Sequence, residues 1–291
     1  MSDVKVMDEG VFSNLLVVNR DKVRKHWGKT ETEIFELLDR LKEWIKTQNF
    51  PEMPTDSTLE FFLTNCKYNL DKTKKNLTTY YSIRKEIPEV YRHSNPRSPE
   101  MENCWDMGVL CPLPNPLEDL YRLSIVKVNQ NCSNFVAWKY FALMLNIYEI
   151  RICEDLCLSE IIIVDYKQLL WSHVFKMTPW LLKMATILDK LAKNRIKQIH
   201  VIEAPSYVSV LINVAKRFLK KKMVDRILIH KNIDSLYEHV PKELLPSDYG
   251  GNEKSLDEII DLWKEHVKKY QKRFDFLDQV GMETYEKEEW E

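Results

Sequence analysis

The chain has 291 residues and a formal net charge of −1, with 43 basic and 44 acidic side chains. This balance argues against a protein dedicated to DNA or RNA, because such proteins usually carry an overall basic excess. The length allows two domains, or one large domain with an appendage, and 44% hydrophobic residues are enough to form a buried core.

Glycine and cysteine usage argues against two further classes of protein. The six glycines form neither of the glycine-rich patterns that hold nucleotide phosphates, so a nucleotide-binding enzyme is not expected. The six cysteines are sparse, which indicates reduced thiols and not a disulfide framework. Cys153 and Cys157 lie one helical turn apart, but no nearby histidine completes a zinc site, so no metal is expected.

Targeting signals are not evident in the sequence. The N-terminal stretch "MSDVKVMDEGVFSN" lacks the basic and apolar regions of a signal peptide. No stretch approaches the roughly 18 apolar residues that a transmembrane helix needs. We therefore expect a cytosolic protein.

The first part of the chain has helical periodicity. In "TETEIFELLDRLKEWIKTQ" the apolar residues recur every three or four positions, which predicts an amphipathic helix capped by Thr30 or Thr32. Asn69 is predicted to cap a later helix that ends at Pro88. We predict a small helical domain over residues 1–91. Residues 92–117 hold five prolines and little periodicity, so they are predicted to be a connector.

The second part alternates short apolar runs with helix-like stretches. This alternation predicts βαβ units and a largely parallel sheet, an α/β domain over residues 118–252. A charged helix over 255–277 and an acidic tail complete the C-terminal segment 253–291. The four predicted strands are 123–128, 160–165, 198–203 and 226–230.

Four segments resemble the CRAL-TRIO lipid-binding family, which includes cellular retinaldehyde-binding protein and α-tocopherol transfer protein. They are "LEFFLTNCKYNLDKTKKNLTTYYSIRKEIPEVY", "IIIVDYKQLLWSHVFKMTP", "RIKQIHVIEAP" and, most specifically, the closing signature "HVPKELLPSDYGG". The stretch that they mark out, from Phe61 to Gly251, is about two thirds of the chain. Thr64, Gln168 and Ala204 depart from the family pattern, so the resemblance names no particular ligand.

The resemblance implies a hydrophobic pocket that holds one lipophilic molecule under a mobile gate helix. No enzymatic activity and no cofactor are expected. The gate helix corresponds to residues 206–219, which begin after Pro205 and are apolar on more than one face; a buried core helix is the alternative. The residues expected to form this gate are Val208, Leu211, Ile212, Val214 and Phe218.

Matching by position assigns further residues to the pocket. We expect a buried amide such as that of Asn146 to need a polar partner, which a ligand oxygen would provide. Glu160 begins the strand face that continues with Ile162 and Val164, and we expect this carboxylate to be solvated. His173 either hydrogen-bonds near the pocket mouth or is structural. The expected pocket residues are Ala142, Asn146, Ile162, Val164, Met177, Ala185, Leu188 and Ile199.

A basic stretch follows the gate helix in "AKRFLKKKMVDRILIH". The resemblance implies that Lys222 and Arg226, together with Arg195 and Lys197, bind phosphoinositide headgroups. Each basic residue near an anionic bilayer contributes about 1 kcal/mol, which is enough for reversible docking by a cluster. Lys220 and Lys221 equally fit a solvated helix end. A nucleic-acid patch is not expected, because no nucleic-acid-binding module accompanies these residues.

The sequence thus predicts a cytosolic carrier that binds a small hydrophobic ligand and releases it at phosphoinositide-containing membranes. Tocopherol, retinoid and carotenoid all fit such a pocket. One alternative is a transfer protein for phospholipids of the phosphatidylinositol type. The other is a regulatory scaffold with a vestigial pocket. A hydrolase triad of Ser172, His173 and Asp165 is rejected, since no G-x-S-x-G elbow is present.

Overall fold

The fold comes from a computed structural model that describes residues 15–118, 120–129, 135–180, 196–208, 212–213, 216–217 and 221–286, with backbone only for 281–286. Within these residues no helix combines the length and apolarity required to cross a membrane.

The described residues of the N-terminal region form five helices, and two of them have the predicted caps. Thr30 accepts a hydrogen bond from the amide of Glu33, whose side chain bonds back to Thr30, so the predicted cap is a full capping box. Asn69 caps the fourth helix as predicted. The helices are α1 (Arg20–His26), α2 (Glu31–Lys46), α3 (Asp56–Asn65), α4 (Leu70–Glu86) and α5 (Pro88–Tyr91).

The sheet has five strands in the order β1-β2-β3-β4-β5. The predicted strands are confirmed within two residues at each end, and β2 to β5 run parallel. The predicted connector contains β1, which pairs antiparallel with β2 and was not expected, because its five residues are surrounded by prolines. The strands are β1 (Gly108–Pro112), β2 (Tyr121–Val128), β3 (Ser159–Asp165), β4 (Ile196–Ile202) and β5 (Ile227–Ile229).

Helices surround this sheet. The single helix predicted over 255–277 is instead two helices that meet at Tyr270. One continuous helix was predicted because the apolar periodicity continues across Tyr270. The remaining helices are α6 (Ala137–Glu154), α7 (171–180), α8 (Lys221–Val224), α9 (Asp234–Tyr237), α10 (Leu256–Lys269) and α11 (Gln271–Glu286).

A buried ion network joins the helical region to α6 and α11. Glu149 of α6 accepts hydrogen bonds from Arg273 at 2.9 Å and from the Tyr80 hydroxyl at 2.6 Å, and Arg273 also bonds to Glu52. Burial alone raises the pKa of Glu149, but the nearby guanidiniums of Arg273 and Arg84 hold this pKa below its usual value. The network therefore stays charged and fixes the three parts of the chain together.

The two glycines of the closing signature are required by the backbone. Gly250 has a φ of +75°, a left-handed conformation that glycine adopts without strain. A Cβ at Gly251 would lie 1.9 Å from the carbonyl oxygen of Leu245. This turn brings Tyr249 to the sheet, where its hydroxyl donates to Asp165 at 2.8 Å.

One face of the sheet, here called the closed face, is fully covered at its centre. Cys111, Ile125, Ile163 and His200 lie side by side in register on neighbouring strands, and each has 0% exposure. Asp165, with the same orientation as Ile163, bonds to Tyr249. The segment after β5 therefore packs on this face.

A chain of hydrogen bonds fixes the histidines of the closed face in their neutral forms. Ser235 donates its hydroxyl hydrogen to the carbonyl of Asn232 at 2.8 Å, so its oxygen accepts from Nδ1 of His230 at 2.9 Å. Nε2 of His230 consequently accepts from Nδ1 of His200, also at 2.9 Å. The His239 ring lies 5.3 Å from that of His200. Burial, together with the neighbouring His230 and His239, lowers the pKa of His200 to about 4.

We predict that this cluster makes the fold sensitive to acid. An unfolded histidine has a pKa of about 6.5, so the unfolded chain binds more protons than the folded chain between that pH and about 4. The free energy of unfolding should therefore decrease as the pH falls through this window, by at most about 1.4 kcal/mol per pH unit for His200. Urea denaturation at a series of pH values measures this decrease in the free energy of unfolding.

The matched variant is His200→Asn, whose amide can still donate to His230 but does not titrate. Its unfolding free energy should depend less on pH than that of the wild type. Two identical pH profiles would show that His200 is not the sensitive group.

Candidate functional site

The second face of the sheet, here called the open face, is apolar but incompletely covered. Its first row consists of Ser124, Ile162, Ile199 and Ile227, which are neighbours in register on β2 to β5. Ser124 is buried, and the three isoleucines are half-buried. The second row is Leu110, Val126, Val164, Val201 and Ile229, and Ile229 is 53% exposed.

Ile162 shows how incomplete the cover is. It lies on the central strand, where both faces of a parallel sheet are normally buried, yet it is half-buried, whereas the next residue, Ile163, has 0% exposure. Val164 and Ile199 pack at the margin of the main core. Val126 and Ile162 belong to none of the core clusters formed by the described residues. The described residues therefore leave the middle of this face incompletely packed.

Connection handedness determines which segments cover the open face. Right-handed crossovers between parallel strands that follow one another in chain order all lie on one side of the sheet. Since the segment after β5 occupies the closed face, α6, α7 and the gate helix belong to the open face. The chain leaves the C-terminal end of β4 and returns to the N-terminal end of β5, so the gate helix region runs along the length of the strands.

Buried charges close the open face at the N-terminal ends of the strands. Glu160, expected to be solvated, is instead 6% exposed, and it accepts hydrogen bonds from Arg151 and Ser124, each at 2.6 Å. Arg151 and Arg122 both bond to Asp155. Burial raises the pKa of Asp155, but the two guanidiniums outweigh it and hold this pKa below its usual range. This end is therefore polar and rigid.

Asn146 does not need a ligand oxygen as the hydrogen-bond partner of its amide. Its amide nitrogen donates to the carbonyl of Ser94 at 2.7 Å, so a protein group already satisfies it. It lines a cavity of about 120 Å³ together with residues of α4 and α11, such as Arg84 and Leu277. Ala142, fully buried one helical turn earlier, lies on the same side of α6. The described contacts thus connect these two residues to the helical region.

The other expected pocket residues divide between the open face and the undescribed part of the chain. Ile162, Val164 and Ile199 lie together on the open face. Met177 is buried on α7, with 6% exposure. Ala185 and Leu188 lie outside the described residues.

Of residues 206–219, the structure describes 206–208, 212–213 and 216–217; residues 206 and 207 form a turn, and the other five are helical. Val208 and Ile212 are buried, one turn apart on the same side of the helix. Leu211, Val214 and Phe218 lie outside the described residues. Glu203, two residues before Pro205, has a φ of 51°, a left-handed conformation that costs a residue with a Cβ about 1–2 kcal/mol. The approach to the gate helix is therefore strained.

An exposed aromatic cluster, not singled out in the sequence, lies at the C-terminal ends of the strands. Trp171 stacks on Phe175 with ring centroids 6.0 Å apart and on Tyr207 at 4.6 Å. The hydroxyl of Tyr207 donates to the carbonyl of Leu169, which joins the start of the gate helix to the approach to α7. Trp171 is 46% and Phe175 is 73% exposed. In the sequence, the four-residue spacing of Trp171 and Phe175 could have predicted this cluster.

The expected basic residues lie at the opposite ends of the strands. Lys197, at the start of β4, and Lys222, in α8, are exposed. Arg226 immediately precedes β5, and its guanidinium donates to the carbonyl of Ile196 beside Lys197. These three residues thus lie at one end of the sheet, while Arg195 lies outside the described residues. The gate helix region connects this basic end to the aromatic end.

Comparison with protein families gives two matches. Residues 30–101 match the Pinta-like UBA domain, and residues 121–251 match the CRAL/TRIO domain. The second match begins at the start of β2 and ends with the closing signature, so it contains the open face and the gate helix.

Known proteins and structures agree with these matches. The chain is 27% identical over 230 residues to the human "Alpha-tocopherol transfer protein-like", an alignment that spans 76% of this chain and 66%, just under two thirds, of that protein. It is 33% identical over 93 residues to rat "Clavesin-2", across 31% of this chain and 28% of that protein. The crystal structure of Sfh5 has a TM-score of 0.50 and 11% identity, and covers 87% of this chain and 100% of that one, a likeness of fold.

We predict that Glu203→Asn stabilises the fold by about 0.5–1 kcal/mol, because asparagine tolerates the left-handed conformation better than glutamate. Thermal unfolding of the full chain measures the difference. Glu203→Ala is the matched control, since alanine removes the same charge but keeps the strain. Equal stabilisation by both variants would assign the effect to the charge and contradict the conformational explanation.

Proposed function

Because the chain belongs to the CRAL-TRIO family, whose domain forms its open face and gate helix, we propose that it is a lipid carrier. It binds one small hydrophobic molecule, such as a tocopherol, retinoid or carotenoid, shields it from water and releases it at a membrane. No covalent chemistry takes part. The observation that carries this proposal is the half-buried Ile162 on the central strand, since an apolar ligand would cover a sheet centre that the described residues leave incompletely packed.

Release at a membrane is supported by the two ends of the gate helix region. Exposed aromatic rings such as those of Trp171 and Phe175 partition into the interface of a bilayer. Lys197, Lys222 and Arg226 at the other end are attracted by anionic headgroups, phosphoinositides among them. A membrane that binds the open form more tightly than the closed form shifts the population toward opening. The protein is therefore proposed to be cytosolic and to dock reversibly.

The deciding experiment is native mass spectrometry of the full chain purified from its own source, followed by organic extraction of whatever is bound. One stoichiometric isoprenoid or carotenoid establishes the carrier and identifies its cargo. A bound phospholipid would place the protein among phospholipid-transfer proteins. Bare protein that also takes up no lipid from liposomes would contradict the proposal and support a regulatory scaffold.

Filling the space above the sheet should block binding. Ile162→Trp adds a large ring to the open face, and we expect it to lower lipid uptake from liposomes at least tenfold while the fold stays intact. Lipid extracted per protein measures uptake, and circular dichroism monitors the fold.

The neighbouring residue provides the control, because its side chain points to the closed face. Ile163→Trp overpacks a core and should cost about 1–3 kcal/mol or more of stability. If Ile162→Trp destabilised the fold as much as Ile163→Trp, or bound lipid like the wild type, the open face would not be the binding space.

The basic end should contribute the salt-sensitive part of membrane binding. Replacing Lys197 and Lys222 by alanine removes about 2 kcal/mol of attraction, or on the order of 30-fold in affinity at low salt. Co-sedimentation with vesicles that contain phosphatidylinositol bisphosphate measures this loss, which should shrink at high salt. Lys268 and Lys269 are the matched controls, since they are exposed on α10, which contacts β1 at the other edge of the sheet. Equal losses from both pairs would show that the docking end is misassigned.

A further inference from the structure

His173 combines complete burial with a hydrogen-bond donor that has no protein acceptor. Its side chain has 0% exposure, and Nε2 has no hydrogen-bond partner among the described residues. Nδ1 accepts the backbone N–H of Leu170 at 3.0 Å. A nitrogen that accepts cannot carry a proton, so the hydrogen of the neutral ring is on Nε2. The ring therefore presents an N–H group inside the protein.

The surroundings of this N–H group are apolar. The ring of Phe135 meets the imidazole edge-on, with centroids 4.9 Å apart. Val174 and Met177, on the same inward side of α7, are also buried. Burial, with a smaller contribution from the Lys176 charge, lowers the pKa of His173, so the ring stays neutral. A buried donor left without an acceptor costs about 1–3 kcal/mol.

A purely structural role accounts for only one of the two ring nitrogens. Nδ1 satisfies the amide of Leu170 at the start of α7, and an asparagine oxygen could do the same. The donor on Nε2 adds nothing to that cap. Nε2 lies on the inward side of α7. This helix follows the central strand β3 and lies on the same side of the sheet as the open face.

We propose that Nε2 of His173 donates a hydrogen bond to an oxygen of the bound lipid. This inference rests on the proposed carrier function and narrows the ligand class. The cargo is an otherwise apolar lipid with a hydroxyl or carbonyl oxygen, and a pure hydrocarbon of the same shape binds more weakly because it leaves the donor unmet.

A competition experiment tests the ligand class and does not require the natural cargo to be identified first. The delipidated full chain is incubated with matched pairs that differ by one oxygen: retinol with axerophthene, phytol with phytene, and cholesterol with cholestene. Extraction and mass spectrometry then give the ratio of oxygenated lipid to hydrocarbon. For any lipid skeleton that it binds, we expect the wild type to prefer the oxygenated lipid over the matching hydrocarbon. In His173→Phe the ratio of oxygenated lipid to hydrocarbon should be roughly tenfold lower.

Two further measurements keep the test decisive. His173→Asn retains a cap for Leu170 but lacks the distant donor, so it should fold normally and lose the same preference. Nitrogen-15 spectra of the wild-type histidines should show a protonated Nε2 whose shift changes on loading with the oxygenated lipid. Binding with equal ratios in all three proteins, or an unchanged Nε2 signal that indicates a bound water, overturns the inference. Failure to bind any lipid overturns the carrier function itself.

Discussion

The order of the strands is the constraint from which the rest of the structure follows. When parallel strands are neighbours in chain order, right-handed crossovers must all lie on one side, so the two faces of the sheet are covered by different kinds of segment. The closed face receives one continuous stretch after β5, and Cys111, Ile125, Ile163 and His200 are fully buried there. The open face receives three separate crossovers, and they leave the centre of the sheet incompletely covered. The incomplete packing of Ile162 among the described residues therefore agrees with this topology.

Buried charges hold several parts of the molecule together. Glu149 and Arg273 join the helical region to α6 and α11, while Glu160 and Arg151 close the lower end of the open face. Breaking a buried ion pair is costly, so these parts move as one body. The approach to the gate helix has no such network among the described residues. It has a strained residue, Glu203, and a stack of exposed rings.

Local patterns predicted the parts of the fold that depend on local physics. Periodicity placed the parallel strands, and the cap at Thr30 follows from side chains three residues apart. The errors concern partners that are distant in sequence. Glu160 accepts from Ser124, 36 residues away, and Asn146 finds its acceptor in Ser94, which lies 52 residues away. The strand β1 was missed because pairing with β2, and not its own five residues, makes it a strand.

The stack of Trp171 on Tyr207 has a consequence for the proposed docking at membranes. Trp171 is exposed enough to enter a bilayer, and the same ring holds the start of the gate helix to α7. Each interaction therefore weakens the other by the same factor, as thermodynamic linkage requires. Under the proposed carrier function, a cargo that favours the closed gate lowers the affinity for the membrane, and the empty protein stays there longer. The loaded form then leaves a membrane more readily than the empty form.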